Sequence, residues 1–124
     1  MKFEFNPNTP IYLQIIEEIK RQIVFGEREP GIKVESVRDL AQIMGVNPNT
    51  MQRAFVELER ERLIYTERTS GRFITMDSNL IKKIKDESIN KEISEFVQLM
   101  KKSGFAKADI LRLVDTFMEE SEHE

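Results

Sequence analysis

Two short apolar-periodic stretches, each opened by a capping side chain and separated by a single glycine, constrain this chain more than any other feature. In Ser36-Val37-Arg38-Asp39 the serine can accept from the backbone of an acidic residue three positions on. Val37, Leu40, Ala41, Ile43 and Met44 follow as the apolar contacts of a short helix. Gly45 stops that helix, since glycine enters the left-handed conformation without a Cβ penalty. Val46 leads into Asn47-Pro48-Asn49-Thr50, where Asn47 caps and Pro48 fills the first turn of the next helix, lined by Met51, Ala54, Phe55 and Leu58. Two short helices so joined have the outline of a helix-turn-helix.

A further helix precedes this pair. Thr9 offers a cap and Pro10 a first position, and Ile11, Ile15, Ile19 and Ile23, with Tyr12 and Ile16 beside them, recur at helical spacing up to Gly26. Ile32-Lys33-Val34 is expected to run briefly extended. Leu63-Ile64-Tyr65-Thr66 and Arg72-Phe73-Ile74-Thr75 are β-prone and flank a turn with Gly71 near its tip. Helix-turn-helix followed by hairpin is a winged helix. From Asp77 the helical period returns through Ile81, Ile84, Ile89, Ile93, Phe96, Val97 and Met100, stops at Ser103-Gly104, and resumes through Ile110, Leu111, Val114, Phe117 and Met118. The expected fold is mainly α with a small β-hairpin: a winged helix-turn-helix domain over residues 1–76, then a short helical dimerisation or effector region over residues 77–124.

Composition removes whole classes of chemistry. The 124 residues include no Cys and one His, His123 in an acidic end, so disulfides, thiol catalysis, Cys/His zinc sites and His-based triads lack their atoms. There is no Gly-rich phosphate cradle, and the carboxylate pairs Asp86-Glu87 and Glu119-Glu120 diverge on a helix. No enzyme, cofactor or metal is expected. The apolar runs are too short to span a bilayer and Met1-Lys2-Phe3-Glu4-Phe5 is not a secretory leader, so the chain reads as cytoplasmic with no membrane partner.

The net charge of -3 does not by itself suggest nucleic acid, but it is unevenly spread: residues 1–76 carry 11 Lys/Arg and 11 Asp/Glu, residues 77–124 carry 8 and 11. No acid stands between Gly45 and Val56. The second helix of a helix-turn-helix meets DNA with its first residues. Here these are Asn47, Asn49, Thr50, Gln52 and Arg53, side chains that donate to phosphate and include the types that pair with adenine or guanine edges. Arg68 and Arg72 at the hairpin tip can reach a groove or a phosphate. The same residues also suit plain caps and solvated surface, and near-neutral charge leaves a winged helix serving protein contacts as the alternative.

Pro10-Ile11-Tyr12-Leu13-Gln14-Ile15, Glu35-Ser36-Val37-Arg38-Asp39-Leu40-Ala41, the run Val46 to Glu59, and Ser70-Gly71-Arg72-Phe73-Ile74 occur in the order and spacing of one family. Over roughly residues 9–76 the chain resembles the GntR family of bacterial transcription regulators, and its short C-terminal part resembles the YtrA subfamily. The resemblance implies a homodimeric repressor on a palindromic operator of double-stranded DNA, often controlling an ABC-transporter operon. It implies DNA contacts from Arg38, Asn47, Asn49, Thr50, Gln52, Arg53 and Gly71; Ser36, Ser70 and Arg72 beside them are further candidate contacts. Three positions depart from the family pattern. Val34-Glu35-Ser36 replaces Leu-Pro-Ser and puts an acid near the DNA face. Arg62 replaces the Gly after the recognition helix and predicts a different helix end. Thr69-Ser70-Gly71-Arg72 keeps one wing glycine and adds a charge.

About 48 C-terminal residues in two amphipathic helices cannot enclose a core of their own. A second copy of the chain is the expected cover, through Ile84, Ile89, Ile93, Phe96, Met100, Val114 and Phe117; the alternative is that both helices fold back on their own winged helix in a monomer. No small-molecule effector can be named from these residues.

Overall fold

The computed structural model describes residues 4–123; the readings that involve Met1 to Phe3 and Glu124 lie outside them. The order is α1 (Ile11–Val24), α2 (Val37–Met44), α3 (Pro48–Arg60), β1 (Ile64–Glu67), β2 (Gly71–Ile74), α4 (Ser78–Lys102) and α5 (Lys107–Glu122). This is a mainly helical winged helix-turn-helix followed by C-terminal helices.

The caps of α2 and α3 follow the expectation. Ser36 Oγ accepts from the Asp39 N–H at 3.1 Å, and Asn47 Oδ1 accepts from the Asn49 N–H at 2.8 Å. The start of α1 does not: Pro10 stands at the cap position, and no side chain, Thr9 included, caps there. Gln14 instead ties down the chain that leads into the helix. Its Nε2 donates to the Asn6 and Thr9 carbonyls at 2.7 and 2.9 Å, and its Oε1 accepts from the Asn6 N–H at 2.8 Å. An amide one turn inside the helix donates and accepts at once and ties down the incoming chain, which a threonine hydroxyl is too short to do.

Gly45 (φ 70) ends α2, with the Gly45 N–H on the Gln42 carbonyl and the Val46 N–H on that of Ala41. The same arrangement ends α3: the Arg62 N–H reaches the Glu59 carbonyl at 3.0 Å and the Leu63 N–H that of Leu58 at 2.9 Å. Arg62 itself takes φ 65. The expectation that Arg62 would change the helix end is therefore corrected. Burial of Leu58 and Leu63, both 0% exposed, sets the turn, and an arginine occupies the left-handed position that glycine would favour.

Ile15 and Ile19 of α1, Leu40 of α2, Met51, Phe55 and Leu58 of α3, and Leu63, Ile64 and Ile74 around the hairpin form the fully buried core. β1 and β2 pair antiparallel with Ile64 opposite Ile74 and Tyr65 opposite Phe73, whose rings stack at 5.7 Å. The extended Ile32-Lys33-Val34 lies along β2, bridging Lys33 to Phe73, with the Val34 N–H on the Arg72 carbonyl at 2.8 Å and the Ile74 N–H on the Ile32 carbonyl at 2.9 Å.

Asp77 Oδ1 caps α4 through the Asn79 and Leu80 N–H groups. The first turns of α4 then return to the winged helix: Ile84 is 7% exposed within its core, and Leu80 and Ile81 pack against it. The first compact unit extends through Lys85, past the expected boundary at residue 76, and Ile84, one of the expected partner contacts, is buried within it. The second unit, Asp86–Glu124, comprises the rest of α4, a turn at Gly104 (φ 86), and α5, where the Asp109 carboxylate accepts from the Ala106 N–H at 3.0 Å.

Candidate nucleic-acid interface

The period of α3 divides its side chains in two. Met51, Ala54, Phe55 and Leu58 are buried, which leaves Asn49, Gln52, Arg53 and Val56 exposed on another strip. Asn47 and Asn49 are exposed at the helix start and Thr50 is half-buried. Asn47 uses Oδ1 for its cap, and its amide N–H groups remain for another acceptor. On α2, Ser36 caps through its oxygen and can still donate its hydroxyl hydrogen, and Arg38 is exposed.

Ion pairing sorts the charges around this strip. The Arg28 guanidinium binds the Glu35 carboxylate at 2.8 Å. Burial acts to raise the Glu35 pKa, but the hydrogen bond from Arg28, one from the backbone and the charge of Arg28 outweigh it and hold the carboxyl below its usual range. The acid that departs from the family pattern is thus neutralised by its neighbour. Arg72 Nε meets Glu59 at 2.6 Å, and its guanidinium lies 5.3 Å from the Phe55 ring centroid. Arg72 fastens the wing to α3. By contrast, Lys33, Arg38, Arg53 and Arg68 form no ion pair among the described residues. Ser70 and Gly71 are exposed at the wing turn, Gly71 with φ 111.

Lys33 adds a cation that sequence reasoning did not assign. A Cβ built on Gly71 would lie 3.0 Å from Lys33 Cε and 3.7 Å from Nζ, so the lysine chain runs over the glycine of the wing. Its place in the expected extended stretch Ile32-Lys33-Val34 was the available signal. Tyr12 was read only as an apolar neighbour of the first helix; it stacks under Arg53, a contact between elements that no local spacing announces. Among the described residues no cluster of acidic or histidine side chains could hold a metal ion, and no helix is long and apolar enough to cross a membrane.

The fold and this cation-bearing edge define a winged-helix DNA-binding protein of the kind that regulates transcription. Residues 11–74 match the family described as bacterial regulatory proteins, gntR family. The chain is 38% identical over 119 residues, 96% of its length and 98% of the relative's, to the HTH-type regulator YhcF of Bacillus subtilis. It is 48% identical over 68 residues to the HTH-type transcriptional repressor YtrA of Bacillus subtilis, covering 55% of this chain and 52% of YtrA. Among solved structures, a GntR family transcriptional regulator from Listeria monocytogenes superposes with a TM-score of 0.82 at 38% identity, over 90% of this chain and 98% of that one. The AraR DNA-binding domain in complex with operator ORX1 superposes with a TM-score of 0.54 at 28% identity, over 60% of this chain and 95% of that one. The chain belongs to the GntR family of bacterial transcription regulators. Its relatives are regulators and not enzymes.

Proposed function

We propose that the protein is a cytoplasmic, homodimeric repressor that binds a palindromic operator. Asn49, Gln52 and Arg53 face the major groove, with Asn47 and Thr50 beside them. Ser36 and Arg38 hold the DNA backbone, and the wing reaches it through Ser70, Gly71, Arg68 and Lys33. Arg72 serves as the tie between wing and α3. An ABC-transporter operon is the target class the YtrA resemblance implies. The observation that carries this reading is an exposed α3 edge without acids, whose neighbouring acids Glu35 and Glu59 are already paired with Arg28 and Arg72. The name of YtrA as a repressor supports the sign of regulation.

The dimer reading rests on the second unit. Ile93 (54%), Phe117 (68%) and Met118 (60%) are exposed there, with Ile89, Phe96 and Val114 also open and Met100 half-buried. A groove of about 610 Å³ runs between Phe96, Met100, Phe105, Leu113, Val114 and Phe117. A contiguous apolar surface of this kind on a water-soluble chain is ordinarily covered, and a second copy offers the same stripe by symmetry. Such a dimer sets two recognition helices about 34 Å or a multiple apart, matching a palindrome.

The test is binding to the DNA upstream of the protein's own gene, and to duplexes selected from a random pool, against scrambled DNA over a salt series. Sequence-specific, salt-steep binding with two protomers per site is expected. Failure to prefer any selected duplex would favour a winged helix that binds protein instead.

A further inference from the structure

Arg53 Cζ lies 3.8 Å from the centroid of the Tyr12 ring, a stacking distance and the shortest of the three cation–aromatic contacts found among the described residues. The other two arginines are also held by carboxylates: Arg21 by Glu18 and Glu27, Arg72 by Glu59. Arg53 has no ion pair, so among the described residues the ring is its one recorded partner. Tyr12 is a firm platform, half-buried in the first turn of α1 and packed against the core.

The chemistry of the two kinds of partner differs. A carboxylate consumes the N–H edge of a guanidinium and neutralises its charge, whereas an aromatic ring touches only the face. Stacking therefore restricts the long side chain while leaving its charge and its in-plane donors unspent. We propose that Tyr12 is a positioning residue of the DNA interface, which holds Arg53 ordered before DNA arrives so that its donors are ready for phosphate or a guanine edge. This rests on the reading of Arg53 as a DNA contact.

The prediction is a loss of preorganisation without a loss of charge. Tyr12→Leu should weaken binding to the selected operator about three- to tenfold, the amount expected when one rotamer-rich side chain must be ordered on binding. The slope of log affinity against log salt should stay unchanged, because the Arg53 charge remains. Tyr12→Phe should bind like wild type. Arg53→Ala should bind more weakly, and adding Tyr12→Leu to it should produce no further loss. Tyr12→Met also removes the ring while keeping the charge and donors of Arg53; it should fall with Tyr12→Leu and decides the matter if thermal melts show that Tyr12→Leu fails to fold. Wild-type affinity in Tyr12→Leu, or an additive loss in the double variant, overturns the proposal. A neutral Tyr12→Leu beside a weakened Arg53→Ala removes the positioning role and leaves Arg53 as a contact. A neutral Arg53→Ala removes both.

Discussion

Arg62→Gly should stabilise this protein. Arg62 is the one non-glycine residue with positive φ among the described residues, at 65°, and both hydrogen bonds of the α3 terminus hold it there. A side chain in that conformation costs roughly 1–2 kcal/mol. Glycine removes the cost but gives back about 0.5–1 kcal/mol through its greater freedom in the unfolded chain. The arginine head is exposed and forms no ion pair among the described residues, so its loss removes little else. The net gain is about 0.5–1 kcal/mol, a rise of roughly 2–8 °C in midpoint for a unit of this size. The assay is urea or thermal unfolding of the full chain at one fixed protein concentration, because dimerisation would otherwise enter the midpoint. Arg62→Ala is the control: it removes the same charge, keeps a Cβ at positive φ, and should gain nothing. Gly45→Ala supplies the converse. Nothing lies within 4 Å of a Cβ there, so a net loss of about 0.5–1 kcal/mol, the same strain less the unfolded-state freedom that alanine removes, would come from the backbone alone. If Arg62→Gly is neutral or destabilising while Gly45→Ala is tolerated, the left-handed position is not the source of strain and the reasoning fails.

Glu18, 8% exposed, is held below the ordinary carboxyl value of 4.5 chiefly by its hydrogen bond from Arg21, against the opposing effect of burial. Its stabilisation is complete above 4.5 and is lost as pH falls through the lower folded value, so Glu18→Gln should flatten that acid limb of denaturation midpoints; an unchanged limb would assign it to other carboxylates. Arg38→Ala should weaken binding to specific and scrambled duplexes alike and reduce the salt slope by about 1 if the residue holds a phosphate. Loss confined to the specific duplex would make it a base contact, and no loss would take it out of the interface. Phe96→Glu should convert the dimer to monomer in sedimentation or light scattering, and a mutant that stays dimeric would put the contact on another face.

Local chemistry made much of this protein legible from its residues. Ser36 and Asn47 cap within three residues of themselves, Gly45 turns the chain by its own conformational freedom, and the period of Met51, Ala54, Phe55 and Leu58 selects the buried side of α3 and thus the open strip at Asn49, Gln52 and Arg53. These are effects of range one helical turn, which is why they can be read along the chain. What tertiary structure decided lies between elements. The ring of Tyr12 under Arg53, the pairing of Arg72 with Glu59 and of Glu35 with Arg28, and the passage of Lys33 over Gly71 each join side chains whose encounter depends on how elements pack. Ile84 and Ile93 stand nine residues apart and so on opposite sides of α4 at 3.6 residues per turn, and the two cannot share one stripe: Ile84 is buried with the winged-helix core and Ile93 is open. Arg62 adopts the turn that glycine would favour because the hydrogen bonds and buried leucines on either side outweigh its own preference.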